Sequence, residues 1–302
     1  MIDISIEDYA VISCLSPEET VALRAILDDP VIFHQARFIA DTCFIPEGIE
    51  PIPQFPESPE LAKAWFAAAY LGAGASYEHF KKLGFPEKVW RDTLSDLVIW
   101  LRNEKRNSNV IGLGPLARDW EVVLYHGGVT RHGRLECNSE YFFKHGPLLD
   151  AANKIILDNG APVINLHIPE DGPMKMSDCG ESMRRMAEFF DEYRSDFKWQ
   201  GFICQSWLLD RQLVELLPEN SNILKFQKWG VKYLLEECHE NTVFRIFGNT
   251  APDAVADPTF LQRNAVEFIR NGGKFRSEGI YVPREAVEAV NYDLEKLIAS
   301  GQ

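Results

Sequence analysis

The chain has 302 residues, of which 46% are hydrophobic and 25% charged, enough for a sizeable core in one or two domains. Its formal net charge of −14 argues against nucleic acid as a partner, because phosphates attract basic surfaces. The charge is neutral to favourable for a cationic partner such as an amine, or it serves solubility alone. No run approaches the roughly 20 apolar residues of a membrane span, and the N-terminus has no basic stretch followed by an apolar one. We therefore expect a cytoplasmic protein that does not bind membranes.

The first 118 residues predict a mainly helical N-terminal domain. Ser16 is followed by Pro17 and, three positions after Ser16, by Glu19, which is the pattern of a capped helix start. The four prolines of residues 47–59 cannot be held in a helix and predict an extended connector. A long helix is expected directly after it.

A third helix is predicted after Pro86, with its apolar positions on one side. Asp92 and Asp96 lie four positions apart on another face of this helix. Two carboxylates at this spacing can bind a metal or act as acid and base, but most such pairs are simply solvated. Residues 103–118 are polar and contain glycine, which favours a domain boundary there.

The segments that follow predict the start of a sheet. Residues 120–128 and 133–142 are rich in β-branched and aromatic residues and predict two strands of a hairpin. Residues 144–160 predict a helix that ends at Gly160. An antiparallel pair at this point makes the expected sheet a mixed one.

The central stretch changes between the strand period and the helix period twice. VINLHI (163–168) and GFICQSWLL (201–209) have the composition of buried strands, and Asp178 is the expected N-cap of a helix between them. Strand, helix and strand form a βαβ unit, so the two strands must be parallel. Ligands bind at the carboxyl ends of such strands, which here are residues 167–180 and 206–210.

The C-terminal third predicts short alternating elements. Residues 223–229 and 242–248 predict strands, residues 231–238 have helical spacing, and two further helices start near Pro258 and Pro283. The expected fold class is therefore α+β or α/β, with helices first and a mixed sheet flanked by helices afterwards.

The six cysteines form no CxxC pair. They stand at positions 14, 43, 137, 179, 204 and 238. This spacing suggests neither a zinc site nor a disulfide framework. We expect reduced thiols and no bound metal.

Five segments, in this order, resemble a bacterial family of acyltransferases. They are DTLSDLVIW (92–100), GRLEC (133–137), LHIPEDGPM (166–174), CQSWLLD (204–210) and SNILKFQ (221–227). In that family a helical N-acyltransferase N-terminal domain precedes a GNAT-like C-terminal domain. The resemblance implies a helical domain at residues 1–118 and a GNAT-like acyltransferase domain at residues 119–302.

The resemblance also implies a cofactor. In a GNAT-like sheet two parallel strands splay apart and admit the pantetheine arm of coenzyme A, so acyl-CoA is the implied co-substrate and a small-molecule amine the implied acceptor. A homodimer is a possible assembly. The implied cofactor-binding residues are Gly180, Glu181, Ser182, Arg184, Arg185, Ile203, Trp207 and Asn222.

The loop before the central helix departs from the family pattern. GNAT enzymes place a glutamine- or arginine-led, glycine-rich pyrophosphate loop there, and this chain has MKMSDCGESMRR. Free N–H groups near Gly180, with Arg184 and Arg185 close behind, favour an anion at this position. Asp178 and Glu181 oppose it, because carboxylates repel a pyrophosphate.

Four residues are candidates for the chemistry: His167, Glu170, Cys204 and Ser206. Alternation turns Asn165 and His167 to one face of the first strand, and Cys204 and Ser206 to one face of the second, and we expect these two faces to meet. His167 is then either a general base or a core histidine satisfied by the backbone. Glu170, in the following turn, can hold a cationic acceptor or act as base through water, or be solvated only.

Three functions remain open at this stage. The first is an acyl-CoA-dependent N-acyltransferase in which the amine attacks the thioester directly. The second is a GNAT-like small-molecule binding protein without catalysis, which the departing loop favours. The third is a thiol acyltransferase or hydrolase in which Cys204 and His167 form an acyl-enzyme, although free cysteines are mostly buried and inert.

Overall fold

The computed structural model describes residues 3–45 and 55–300. Two compact units divide the chain: Met1–His132 with Pro169–Asp171, and Gly133–Ile168 with Gly172–Gln302. The predicted proline-rich connector, residues 47–59, falls largely outside the described ranges. Within those ranges no helix combines the length and the apolar character that a membrane span requires.

The first unit is helical, as its sequence predicts. Its helices are α1 (Ile6–Ile12), α2 (Pro17–Asp28), α3 (Pro30–Ile39, followed by a π-helical turn at Ala40–Phe44), α4 (Pro59–Lys82), α5 (Glu87–Leu94), α6 (Leu97–Ser108) and α7 (Pro115–Tyr125), and a short strand β1 (Val129–Arg131) follows. The capping box of α2 is confirmed, since Glu19 N–H donates to Ser16 Oγ (3.2 Å) and Ser16 N–H donates to the Glu19 carboxylate (2.6 Å).

Two elements of this unit differ from the sequence-based expectation. The helix predicted after Pro86 is two helices, α5 and α6. Most of residues 120–128, predicted as a strand, form the second half of α7, so the expected boundary at residue 118 lies inside this helix. Pro115 at the first helical position and the buried Leu124 and Tyr125 favour a helix more than the two valines favour a strand.

Asp92 and Asp96 do not act as a pair. Asp92 forms a surface ion pair with Lys88. Asp96 is 2% exposed, and its Oδ2 accepts hydrogen bonds from the indole N–H groups of Trp100 (2.8 Å) and Trp120 (3.2 Å). The buried carboxylate therefore anchors two tryptophans of the helical unit.

The second unit contains one sheet, a hairpin and six helices within the described residues. The elements are β2 (Glu136–Asn138), β3 (Leu148–Leu149), β4 (Ile155–Leu157), β5 (Ile164–His167), α8 (Met176–Tyr193), β6 (Gly201–Ser206), α9 (Asn222–Gln227), β7 (Val231–Glu237), α10 (His239–Phe247), α11 (Phe260–Arg270), β8 (Arg276–Pro283), α12 (Arg284–Ala289) and α13 (Leu294–Ala299). Short 3₁₀ turns lie at Trp207–Leu209, Arg211–Glu215 and Pro252–Ala254.

The strands of this unit's sheet follow the order β2-β5-β6-β8-β7. β5 and β6 are adjacent and parallel, with Ile164 opposite Phe202 and Leu166 opposite Cys204, which confirms the predicted βαβ unit. The other neighbours are antiparallel. The paired residues end at Leu166 and Cys204, whereas β6 continues to Ser206.

Several short elements of the second unit were wrongly predicted. Residues 144–160, expected as a helix, contain the β3–β4 hairpin, and residues 231–238, expected as a helix, form β7. Residues 223–229 and 242–248, expected as strands, lie mostly in α9 and α10. The helix α8 begins at Met176 with Lys175 as N-cap, so the expected cap Asp178 lies in its first turn.

The two faces of the sheet are covered differently. On one face Ile203 and Tyr281 pack with Phe143, Leu157 and Val163, which come from the segment around the hairpin. On the other face the helix α8 approaches Cys204 through Cys179. Its amphipathic pattern buries two methionines and a phenylalanine, Met183, Met186 and Phe190.

Candidate active site

Three side chains on one face of the sheet are joined through a single acceptor atom. Asn138, the last residue of β2, places its Oδ1 2.8 Å from Asn165 Nδ2 and 2.8 Å from His167 Nε2. Asn165 and His167 are two positions apart on β5, so alternation turns both to the same face. Because the amide oxygen accepts, Nε2 carries the imidazole hydrogen and Nδ1 carries the lone pair.

His167 lies half-buried at the carboxyl end of β5. Burial lowers the pKa of its imidazole from 6.5 to about 4, because the charged form loses hydration. The ring is therefore neutral near pH 7 and able to accept a proton. Glu136 stands opposite His167 in the β2–β5 register and projects to the same face.

Cys204 does not share the face of His167, contrary to the expectation from sequence. Asn165 stands opposite Ile203, and Leu166 stands opposite Cys204. Opposed residues of neighbouring strands project to the same side, so the thiol lies on the other face of the sheet from the imidazole. The alternation within each strand was correct, but the register between the strands cannot be read from either one.

Two predicted catalytic residues have structural surroundings. The Cys204 side chain is 1% exposed, and burial raises the pKa of its thiol to about 12. Such a thiol is protonated at neutral pH and is a poor nucleophile. Ser206, on the same face, accepts a hydrogen bond from Leu208 N–H (3.1 Å) and caps the 3₁₀ turn after β6.

A second polar group on the face of His167 was missed. Gln205, near the carboxyl end of β6, places its Nε2 2.7 Å from His145 Nε2 and donates to the Tyr233 hydroxyl (3.1 Å). Burial raises the pKa of that hydroxyl. Alternation along β6 turns Gln205 to the face of the sheet opposite that of Cys204. Its contacts could not be predicted, because the segments that contain His145 and Tyr233 were both predicted as helices.

A groove of about 690 Å³ opens at the N-terminal end of α8. It is lined by Lys175, Met176, Ser177, Gly180, Glu181 and Arg184 on the α8 side, and by Asn222 and Asn291, Tyr292, Asp293, Leu294 and Glu295 opposite. The N-cap residue Lys175 makes no side-chain capping bond, which leaves the first-turn N–H groups of α8 without a side-chain cap. A helix start of this kind attracts anions.

The charges of the groove are mixed. Two basic and three acidic side chains line it: Lys175, Arg184, Glu181, Asp293 and Glu295. Arg184 bonds Glu181 (2.8 Å) and also Glu188, and Arg185 bonds Glu181 from outside the groove lining (2.8 Å). The Arg184 guanidinium holds the pKa of Glu181 down at about 2, so this carboxylate is charged at neutral pH.

The predicted cofactor-binding residues separate into two groups. Four of them line the groove: Gly180, Glu181, Arg184 and Asn222. Arg185 is next to the groove, and Ser182, Ile203 and Trp207 lie away from it. Ser182 is buried and accepts hydrogen bonds from the N–H groups of Arg134 (2.8 Å) and Leu135 (3.3 Å).

Ile203 and Trp207 belong to apolar clusters. Ile203 is fully buried in the core cluster on the face of His167, so only its backbone is available to a ligand. Trp207 packs, half-buried, against the cluster that contains Leu213 and Leu224. The turn at residues 291–293 was not predicted as part of the site, because no local pattern connects it with α8. Lys175 lies within the predicted range 167–180 but was not named as a binding residue.

Glu170 belongs to the first unit. Its carboxylate accepts hydrogen bonds from Arg106 (2.9 Å) and Asn103 Nδ2 (3.3 Å). Asp171, the next residue, pairs with Arg131. Among the described residues no group of three or more histidine, cysteine or carboxylate side chains is arranged to hold a metal.

Comparison with known protein families gives an independent assignment. Residues 129–281 match the model of the GNAT-like C-terminal domain. The chain belongs to this family. Residues 16–126 match the N-acyltransferase N-terminal domain, so the GNAT-like part is preceded by the helical domain that the resemblance implied.

Solved structures share the fold of this GNAT-like protein. An acyltransferase in complex with decanoyl-CoA has a TM-score of 0.71 and 20% sequence identity, over 94% of this chain and 90% of that one. An acyltransferase in complex with decanoyl-CoA and teicoplanin has a TM-score of 0.70 and 19% identity, over 94% and 89%. A third, with CoA and 10C-teicoplanin, has a TM-score of 0.69 and 20% identity, over 92% and 87%. No curated protein matches the chain.

Proposed function

We propose that this protein is an acyl-CoA-dependent N-acyltransferase that transfers an acyl group to an amine by direct attack. The observation that carries the proposal is the parallel β5–β6 pair, whose pairing ends at Leu166 and Cys204 beside the neutral imidazole of His167. The family assignment supports it, as do the structurally similar acyltransferases, which were crystallised with CoA or decanoyl-CoA.

The groove at α8 is the proposed site for the anionic end of coenzyme A. First-turn N–H groups of α8, the ammonium of Lys175 and the guanidinium of Arg184 are its electropositive groups. Asn222, across the groove, offers an amide to the same ligand. This arrangement puts phosphates at the start of the crossover helix and the thioester near the carboxyl ends of β5 and β6.

The reaction then needs one base. The amine nitrogen forms a bond to the thioester carbonyl carbon, the nitrogen loses a proton to His167 Nδ1, and the carbon–sulfur bond breaks to release the CoA thiolate. Backbone N–H groups at the end of β6 polarise the carbonyl. The thiolate takes this proton from the imidazolium, so the imidazole is restored and free CoA leaves as the thiol.

The thiol mechanism has less support. Cys204 is protonated, buried and on the opposite face from His167, so the pair cannot share a proton directly. Glu170 remains the second candidate base, but Arg106 neutralises its charge. A binding protein without catalysis would retain the groove and show no turnover.

A calorimetric titration with free CoA, acetyl-CoA and longer acyl-CoAs tests donor binding, and melting curves check it. A ligand at a hundred times its Kd stabilises the native state by about 2.7 kcal/mol. Arg184→Met and Arg185→Met form a matched pair, because both arginines bond Glu181 and only Arg184 lines the groove.

We expect Arg184→Met to weaken CoA binding about tenfold, the worth of one charge-assisted hydrogen bond, and Arg185→Met to change it less than about twofold. Equal effects of the two variants would remove the groove from the proposal. No response to any CoA compound would leave the family assignment standing but contradict the enzyme function.

A further inference from the structure

Asn165 has a buried oxygen that nothing in the described part of the chain satisfies. The residue is 7% exposed, and its Nδ2 donates to Asn138 Oδ1 at 2.8 Å. Its own Oδ1 is buried and accepts no hydrogen bond from residues 3–45 or 55–300. A buried carbonyl left unsatisfied costs about 1 to 3 kcal/mol, and a hydrogen bond from a ligand or a water molecule would recover that cost.

The side chains beside this oxygen are joined by hydrogen bonds. Asn165 stands on β5 opposite Ile203, on the face of the sheet that carries His167. Asn138 Oδ1 accepts from Asn165 and from His167 together, so one amide sets the orientation of both side chains. An asparagine is suited to this place, because its amide donates to Asn138 and still offers an acceptor in another direction.

We propose that Asn165 Oδ1 accepts an N–H of the substrate beside His167, and that Asn138 is the positioning residue that holds both side chains. The inference rests on the proposed acyl transfer and adds a substrate-binding atom to it. Two parts of the reacting pair carry such an N–H: the acceptor amine and the amides of the pantetheine arm. If the amine supplies it, the acceptor is a primary amine, with one hydrogen for Asn165 and one proton for His167.

The test is Asn165→Leu, which keeps the approximate volume and removes the acceptor together with the N–H that donates to Asn138. Kd for free CoA is measured by calorimetry, and kcat and KM for the amine are measured on the same preparation. A loss of about tenfold in CoA affinity assigns the N–H to pantetheine. An unchanged Kd with a KM for the amine raised about tenfold assigns it to the acceptor.

Unchanged Kd, KM and kcat in folded Asn165→Leu protein would overturn the assignment of Asn165. Should the leucine variant fail to fold, Asn165→Ser is read in the same way, since its shorter hydroxyl cannot reach both partners. Asn264→Leu is the control, because it removes an amide that donates to the Leu216 carbonyl in a remote part of the unit. If free CoA does not bind the unmodified protein, the proposed function has failed first.

Asn138→Asp tests the positioning role separately. A carboxylate 2.8 Å from Nε2 stabilises the imidazolium, so the acid limb of the kcat/KM profile should move upward by about one to two pH units. Glu136, on the same face, is present in both proteins and does not account for a difference. A folded Asn138→Asp protein with an unmoved acid limb would contradict the role of Asn138.

Discussion

Gly180 of α8 lies against the carbonyl oxygen of Tyr292, so closely that a β-carbon at Gly180 would stand 2.2 Å from that oxygen. The glycine therefore lets the first turns of α8 approach the loop between α12 and α13. Asn291 and Tyr292 in this loop both have left-handed backbone conformations (φ 50° and 59°), which the packed turn maintains. The same contact forms one wall of the groove.

Replacing Gly180 with alanine should destabilise the protein. Alanine is favoured over glycine in a helix by about 1 kcal/mol, but the contact with backbone leaves no space, and overpacking costs about 1 to 3 kcal/mol. We expect a lower melting temperature and weaker CoA binding. Glu192→Ala, at an exposed position in the last turn of α8 that does not line the groove, is the control and should change neither. A stabilised Gly180→Ala protein would show that the loop moves freely.

The elements that were predicted correctly are those with strong local signals. The capping box at Ser16 and the two parallel strands fall in this group. The segments at 223–229, 231–238 and 242–248 were exchanged between helix and strand, because seven or eight residues with mixed apolar spacing fit either period. The segment at 223–229 is helical because it has an N-cap. Ser221 Oγ accepts a hydrogen bond from Ile223 N–H, and α9 begins at the next residue.

For the candidate site, the sequence could bring together only residues that are close along the chain. His167, Gly180 and Arg184 lie within one βαβ unit, where strand ends and helix starts are adjacent in sequence. Asn138 comes from another strand, 29 positions before His167, and no local pattern connects them. Register between strands decides which polar groups meet, and it is set by packing of the whole sheet.

Glu181→Gln should strengthen CoA binding. Its carboxylate is ionised at neutral pH, repels phosphates and holds Arg184 and Arg185. Removing the charge should lower the Kd for free CoA about three- to tenfold at low ionic strength, and less at high salt. Glu188→Gln is the matched control, because it also bonds Arg184 but does not line the groove. Weaker binding in Glu181→Gln would mean that Glu181 orients Arg184 toward the ligand.

Cys204→Ala should remain an active enzyme. The pKa of about 12 leaves only about one thiol in 10⁵ ionised at pH 7, so removal of the sulfur affects packing alone, by about 1 kcal/mol. Mass spectrometry after brief alkylation should find the exposed Cys14 modified and Cys204 unmodified. Folded Cys204→Ala protein without turnover would revive the acyl-enzyme mechanism.

Asp96→Asn and Asp92→Asn should differ in stability. Asp96 is buried, accepts from two indoles and pairs with the buried Arg131 (3.8 Å). Asparagine keeps an acceptor oxygen but removes the charge beside Arg131, which should cost about 2 to 4 kcal/mol. Among the residues that the structure describes, the Asp92 carboxylate has only the surface ion pair with Lys88, worth at most about 1 kcal/mol. Urea unfolding of both variants gives the comparison. Equal losses would contradict the role of Asp96 as an anchor.

The ionisation of His167 should affect stability between about pH 4 and 6.5. Its folded pKa is lowered, so the unfolded chain binds more protons in this interval, and its contribution to stability is present above pH 6.5 and lost as the pH falls toward 4. The loss is at most about 3 kcal/mol. Melting temperatures of the unmodified protein should therefore fall more steeply below pH 6.5 than those of His167→Gln.

The same variant tests catalysis. Glutamine keeps an N–H that can donate to Asn138 but has no basic nitrogen, so His167→Gln should fold, bind acyl-CoA normally and lose about 10² to 10⁴ in turnover. Melting temperature, CoA affinity and turnover are measured on one preparation. If His167 is only a core residue, the variant loses stability and keeps its turnover per folded molecule. That result would end the general-base role of His167 and direct the next substitution to Glu170, with Arg106 left in place to hold the loop.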